Sequence, residues 1–233
     1  DDLANDPNPA AAVDFFSNGG NDTVNFSNGQ QVTVHSNVTL NVGGGNAIDD
    51  DATGPGNDAT PETVILADDG TPHDVTLDGT GGANAGVDEV IGSSADDVIT
   101  YLTTNNATVD GNGGNDIVNG ADGGQNLLLQ EVESVVGGNG NDTVTADTAL
   151  ISATLGANDD ILTQNGGTTG ASFSGEGGDD TFNLDDVSGS TINGNDGDNR
   201  VNVEGALTIP SATGGSGNDT VDVAGDDGIA NLG

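Results

Sequence analysis

Apolar and polar residues alternate in short runs along this chain. Gln31 to Val34, Val38 to Val42, Thr63 to Ala67 and Asp74 to Leu77 each alternate over four or five residues, which predicts strands with one face inward. Leu127 to Val136 reads as a pair of apolar strands. Between such runs a glycine-rich turn returns. Its clearest copy is Gly137-Gly138-Asn139-Gly140-Asn141-Asp142-Thr143-Val144-Thr145, of the form G-G-x-G-N-D-x-U-x with U a large apolar residue. Six residues of tight turn lead into three of strand.

Further copies stand at Ser17 to Asn25, Ala83 to Ile91, Gly92 to Thr100 and Gly111 to Asn119, with a degenerate one around Gly123 to Leu127. From Asp142 onward the sixth places are Asp142, Asp160, Asp180, Asn199 and Asp219, spaced by 18, 20, 19 and 20 residues. A repeat of this length is one rung of a solenoid. Val144, Leu162, Phe182, Val201 and Val221 at the eighth places form one inward column. Ala153, Phe173, Ile192 and Ala212, two residues ahead of each nonapeptide, form another. The predicted fold is all-β, a parallel β-roll or β-helix solenoid with 18–20 residues per rung. Residues 1–16 read as an N-terminal arm and cap, 17–82 as an irregular solenoid part with loop insertions, and 83–233 as the regular roll. The acidic Gly/Pro loop between Gly43 and Thr63 reads as a solvated insertion.

Composition narrows the chemistry. With 32% hydrophobic residues, 3% aromatics and 40 glycines, only a thin core can be filled. The formal net charge is −38: 39 acids face a single base, Arg200. Nucleic acid and direct membrane insertion are disfavoured as partners by the missing basic patch and the missing apolar span. Of the acids 33 are Asp and 6 are Glu, a bias that general acidity does not explain and that tight turns holding a hard cation do. Cysteine is absent, which removes disulfides and thiolate metal sites.

Stacking rungs about 4.8 Å apart brings equivalent aspartates nearly as close. Two carboxylates at that distance repel by roughly 0.9 kcal/mol in water, and several-fold more in a partly buried site. A divalent ion between turns reverses the sign, so ion binding and folding are expected to be one event. Glycines let the turn aim backbone carbonyls at the ion. The oxygen set suits Ca²⁺ better than Mg²⁺, which demands a tighter octahedron, or Zn²⁺, which prefers His and Cys. Candidate ligands are the side chains of Asp22, Asp88, Asp97, Asp116, Asp142, Asp160, Asp180, Asp198, Asn199 and Asp219. The turn residues Gly111, Gly113, Gly137, Asn139, Gly175, Gly177, Gly194, Asp196, Gly214 and Ser216 join them. After Asp97 mainly one such turn falls in each rung, which predicts a single ion row with a plainer opposite edge. Asn199 departs from Asp, and a weak or absent ion is expected there; Arg200 beside it either supplies the missing positive charge or is a solvent-facing side chain.

These copies, and the run Glu131-Val132-Glu133-Ser134-Val135-Val136 leading into Gly137, resemble the RTX family of secreted bacterial proteins with glycine-rich nonapeptides. The resemblance covers residues 83 to 223 best. It implies a parallel β-roll with Ca²⁺ between turns, held by sixth-place carboxylates and turn carbonyls, and export followed by folding outside the cell. The beginning at Asp1-Asp2-Leu3 is compatible with a processed end, and no terminal secretion signal is recognised at Asn231-Leu232-Gly233.

No catalytic constellation stands out. His35 and His73 are the only histidines, neither lies in H-E-x-x-H, and His73 reads as a loop residue. Asp159-Asp160 and Asp179-Asp180 resemble glycosidase acid pairs, but they recur within the turn as ligands would. The expectation is a non-enzymatic, secreted, calcium-binding structural protein that assembles with copies of itself in a matrix filament, surface layer or adhesin. Alternatives are a calcium-dependent folding and secretion module of a larger exoprotein, and an ice-binding solenoid.

Overall fold

The structure is a computed structural model that describes residues 13–15, 31–34, 38–42, 63–66, 70, 72–79, 87, 89–102, 104, 106–147, 149–205 and 211–224. The expected arm and the acidic loop lie outside these residues, apart from Val13–Phe15. All regular structure among them is β, as the alternation requires, and all pairing is parallel. The chain divides into two compact units, Asp1–Ala121 and Asp122–Gly233.

In the first unit one sheet runs β1 (Val13–Phe15), β2 (Gln31–Val34), β4 (Thr63–Leu66), β6 (Glu89–Ile91), β8 (Ala107–Asp110). The other runs β3 (Val38–Val42), β5 (Asp74–Gly79), β7 (Val98–Tyr101), β9 (Ile117–Asn119). The chain alternates between the sheets, so each rung contributes a strand to each. Inward columns follow from the register: Val64 faces Val90, which faces Val109, and Val75 faces Ile99, which faces Val118, all fully buried.

The second unit repeats this plan. One sheet runs β10 (Asn126–Gln130), β12 (Thr143–Ala146), β14 (Ile161–Gln164), β17 (Thr181–Asp185), β20 (Arg200–Glu204), β22 (Thr220–Ala224). The other runs β11 (Ser134–Asn139), β13 (Ser152–Ala157), β16 (Ser172–Gly177), β19 (Thr191–Asn193), β21 (Ser211–Thr213). Where the connection between sheets lengthens, β15 (Thr168–Thr169) pairs with β18 (Val187–Ser188). Leu127, Val144, Leu162, Phe182, Val201 and Val221 are successive partners, 17 to 20 residues apart. Val135, Ala153, Phe173, Ile192 and Ala212 are partners in the second column. Both inward columns expected from the sequence are observed. Phe182 and Phe173 are the largest fully buried side chains, at the middle of a core otherwise built from Val, Leu, Ile and Ala.

The turn's glycine code has a reason at each place. The second and fourth places carry positive φ: Gly138 at 121° and Gly140 at 131°, Asn195 at 68° and Gly197 at 115°, Gly215 at 99° and Gly217 at 140°. The fourth place also lies flat on the preceding rung, so that a Cβ on Gly217 would enter the carbonyl of Gly197. A Cβ on Gly177, at the third place, would meet nothing within 4 Å, which is why that place varies. Glu176 occupies a second place at φ 77°, where a side chain is strained. Glu176→Gly is expected to raise stability by about 1 kcal/mol, less the bond from Ser174 Oγ to Glu176 Oε1 (2.8 Å), read as a shifted urea midpoint at unchanged slope.

Candidate metal centre

Strand alternation sends the sixth-place side chain inward, at the lip of the core, and the fifth-place side chain outward. In the second unit the inner row is Gln125, Asp142, Asp160, Asp180, Asn199 and Asp219, one residue ahead of β10, β12, β14, β17, β20 and β22 respectively. Each acceptor Oδ1 receives the backbone N–H of the sixth residue one rung earlier. Gln125 N donates to Asp142 (2.8 Å), Asp142 N to Asp160 (2.7 Å) and Asp160 N to Asp180 (2.9 Å). Asp180 N donates to Asn199 (2.9 Å) and Asn199 N to Asp219 (2.9 Å). The first unit has its own row, His73, Asp97 and Asp116, ahead of β5, β7 and β9, with His73 N on Asp97 Oδ1 (2.8 Å) and Asp97 N on Asp116 Oδ1 (2.8 Å). Among the described residues each unit therefore shows one row, and between Asp116 and Gln125 the phase along the chain shifts by nine residues, half a rung.

The row is more than a column of repelling charges. One oxygen of each carboxylate does structural work; the other does not. Oδ2 of Asp142, Asp160 and Asp180 is buried and has no hydrogen-bond partner, in side chains that are 0–1% exposed. Loss of solvent raises the carboxyl of Asp142 to about 6, against the opposing effect of the N–H of Gln125. The same cause raises Asp180 to about 6 and Asp160 to about 7; at Asp160 the charges of Asp180, Asp142 and Asp159 add to it.

First-place residues and turn carbonyls complete the surroundings. A Cβ on Gly175 would meet both Asp180 Oδ2 and Gly194 O, the latter at 2.8 Å, and one on Gly137 would meet Asp142 Oδ2 (2.8 Å) and Leu155 O. A buried, unpartnered carboxylate oxygen and the next rung's first-place carbonyl thus converge on the same small space, the reason glycine opens those nonapeptides. Gly214 lies against Asp219 in the same way. This donor set, one carboxylate oxygen with backbone carbonyls, fits a hard divalent cation. Asp142, Asp160 and Asp180, with the carbonyls of Leu155 and Gly194, would hold Ca²⁺, which would supply the positive charge that the buried oxygens lack. Among the described residues no group of three or more His, Cys, Asp or Glu side chains is placed to hold a metal ion, so a cation in this row would take its further ligands from main-chain oxygens.

Other sequence candidates fall elsewhere. Asp22 and Asp88 lie outside the described residues. Gly111 is buried at a first place, and Gly113 stands at a third place. Third-place residues make an outer column: the carbonyls of Gly177, Asp196, Ser216 and Asn139 accept N–H groups from the fourth places of the preceding rung. Asp196 also accepts from Ser216 Oγ (2.6 Å). Asp198 is exposed, and the backbone N–H and then the side-chain amide of Asn218 hold its carboxyl below the usual range. It belongs to a second, outward row that the sequence reading missed. Asn115 N donates to Asp96 Oδ1 (2.9 Å), Asp179 N to Asp159 (2.8 Å), Asp198 N to Asp179 (2.7 Å) and Asn218 N to Asp198 (2.8 Å). The adjacent pairs Asp159-Asp160 and Asp179-Asp180 are split between the two rows.

His73 is a loop residue as expected, just ahead of β5, but it is buried at 2% exposure and heads the first unit's row, with Nδ1 3.3 Å from Asp97 Oδ1; its partner is a rung away in space and 24 residues away in sequence. Of the two readings of Arg200 the solvent-facing one holds: it points outward and donates from Nε to Asn202 Oδ1 (2.8 Å), because the seventh place lies on the outer face of the sheet. No family model matches the chain, and no curated protein or solved structure matches it significantly.

Proposed function

We propose that this chain is a secreted calcium-binding solenoid with a structural role, folded by Ca²⁺ and assembling with copies of itself into an extracellular filament or layer. The observation that carries this reading is the row of buried Oδ2 atoms on Asp142, Asp160 and Asp180, left without a donor in a fold with almost no protein cations. Burying an ionised carboxylate unpaired is strongly unfavourable. A bound divalent cation offsets that cost and lowers the repulsion between molecules of charge −38. Edge strands support assembly: among the described residues β22 and β21 end their sheets, and an edge strand presents backbone groups to which a further rung could pair. No enzymatic activity is proposed, for the carboxylates that recur do so as part of the turn.

Circular dichroism and light scattering followed together through a Ca²⁺ titration of the chelated protein, with Mg²⁺ as control, test this. Expected is a cooperative gain of β signal with Ca²⁺ and then a rise in scattering. A chain fully folded in chelator would overturn the cation reading, and a folded chain that stays monomeric would favour the folding and secretion module.

A second reading draws on the outer faces of the second unit. Ser134, Ser152, Ser172 and Thr191 are successive partners, as are Thr154, Ser174, Asn193 and Thr213. Such columns of hydroxyl and amide groups suit an ice surface. Ice crystals grown with the Ca²⁺-loaded protein would be faceted under that reading and unaltered under the first.

A further inference from the structure

The sixth places are not equivalent, and two of them satisfy their own side chains. At Asn199 the Oδ1 is fixed by the N–H of Asp180 (2.9 Å), which only an oxygen can accept. Nδ2 therefore points the other way, into the space where Asp142, Asp160 and Asp180 place Oδ2, and donates to Gly197 O (3.3 Å) and Gly214 O (3.3 Å). Those acceptors are the fourth-place carbonyl of its own rung and the first-place carbonyl of the next. At Asp97 the second oxygen is met by Ser93, through N (2.7 Å) and Oγ (2.9 Å). Ser93 stands at the second place, and neither it nor Ala95 at the fourth has the positive φ found at those places in other rungs. A differently folded turn there brings donors to the carboxylate.

We infer that Asn199 and Ser93 stand in for bound cations, so that the rungs at Asn199 and Asp97 close without Ca²⁺ while those at Asp142, Asp160 and Asp180 require it. This rests on the cation reading above and deepens it. An amide N–H₂ offers two donors to the two carbonyls that a cation would otherwise bridge, at no cost in buried charge. The row in the second unit is thereby interrupted: cations gather at Asp142 to Asp180, and the Asn199 rung is a clamp beyond them that is set before they bind. Partly formed structure on one side of a site reduces the ordering left for the ion to drive.

Reciprocal exchange in the full chain tests this. Asn199→Asp removes the amide and leaves the two carbonyls facing an oxygen; Asp180→Asn supplies an amide where an oxygen was. Bound calcium per chain is measured by equilibrium dialysis and atomic emission, and the Ca²⁺ concentration at half-maximal β signal by circular dichroism. Expected are an additional equivalent and a several-fold higher midpoint for N199D, and one equivalent fewer with a lower midpoint for D180N. If the wild-type chain binds calcium but both variants bind the same number of ions as it does, the inference is wrong and the cation reading stands. If the wild-type chain binds none, the cation reading itself fails. Should N199D not fold in Ca²⁺, D180N decides: a lost equivalent with retained β signal supports the substitution of amide for cation, and an unchanged count overturns it.

Discussion

Acidifying the chelated protein is expected to restore β-structure that chelation at neutral pH removes. Asp142 and Asp180 titrate near 6 and Asp160 near 7 in the folded chain, because burial disfavours their charge. In the unfolded chain they titrate near the ordinary value of about 3.9. The folded state therefore binds protons more tightly, and folding without cation takes up protons. By linkage, this contribution is fully present below about pH 4 and is lost as pH rises through about 6 to 7. Protonation of other carboxylates lowers the self-repulsion of a −38 chain and acts in the same direction. Salt near 1 M screens that general term, with a Debye length of about 3 Å, and leaves the buried one. The measurement is a series of urea melts in chelator from about pH 8 to about pH 5 in high salt, with D160N as comparison. Stability should rise as pH falls, less steeply in D160N. In saturating Ca²⁺ the slope should reverse, since protons then compete with the ion. A cation-free stability that instead falls with acid would mean that the buried oxygens carry no uncompensated charge.

Gly197→Ala is expected to be among the most damaging single methyls in the described residues. Gly197 has φ 115°, a conformation that resists a side chain, and its Cβ would enter the carbonyl of Gly178 while pressing on Asp179 Oδ1 at 3.0 Å. Backbone strain of about 1–3 kcal/mol and overpacking of about 1–3 kcal/mol act together, since neither rung can move without parting the ladder. A loss of about 4 kcal/mol follows, large beside the total stability of an ordinary domain. Gly170→Ala is the control: φ there is 73°, yet nothing lies within 4 Å of the added carbon. It should cost about 1–2 kcal/mol. Denaturant midpoints in saturating Ca²⁺ separate the two; equal losses would show that conformation alone, and not contact between rungs, dictates glycine at the fourth place.

Much of the fold was legible because solenoid order is written locally. Alternation gave the boundaries of β2 and β3, and the eighth-place residues gave the column from Val144 to Val201, since a rung's inward positions are set by its own turn. What escaped depends on the neighbouring rung. His73 has no glycine turn in front of it to mark a sixth place, and its role appears only where Asp97 reaches it. Gln125 is hidden in the same way by a degenerate copy and a half-rung shift in phase. The division of labour between adjacent residues, Asp179 outward and Asp180 inward, was latent in strand geometry but masked by their identical chemistry. Asn199 was noticed as a departure, and its meaning lies in the direction its amide faces, which only the bond from Asp180 reveals.

The two side-chain rows run against each other. A sixth-place N–H reaches forward to the oxygen of the following rung, as from Asp160 to Asp180, whereas a fifth-place N–H reaches back to the oxygen of the preceding one, as from Asp179 to Asp159. The stack therefore has an arrow. Its leading face offers a sixth-place donor and a fifth-place acceptor, and its trailing face offers the converse. Were copies to extend the stack head to tail, as the proposed assembly would have them do, each donor of one face would meet an acceptor of the next. A strand of such molecules would possess two chemically distinct ends and no twofold axis across its length.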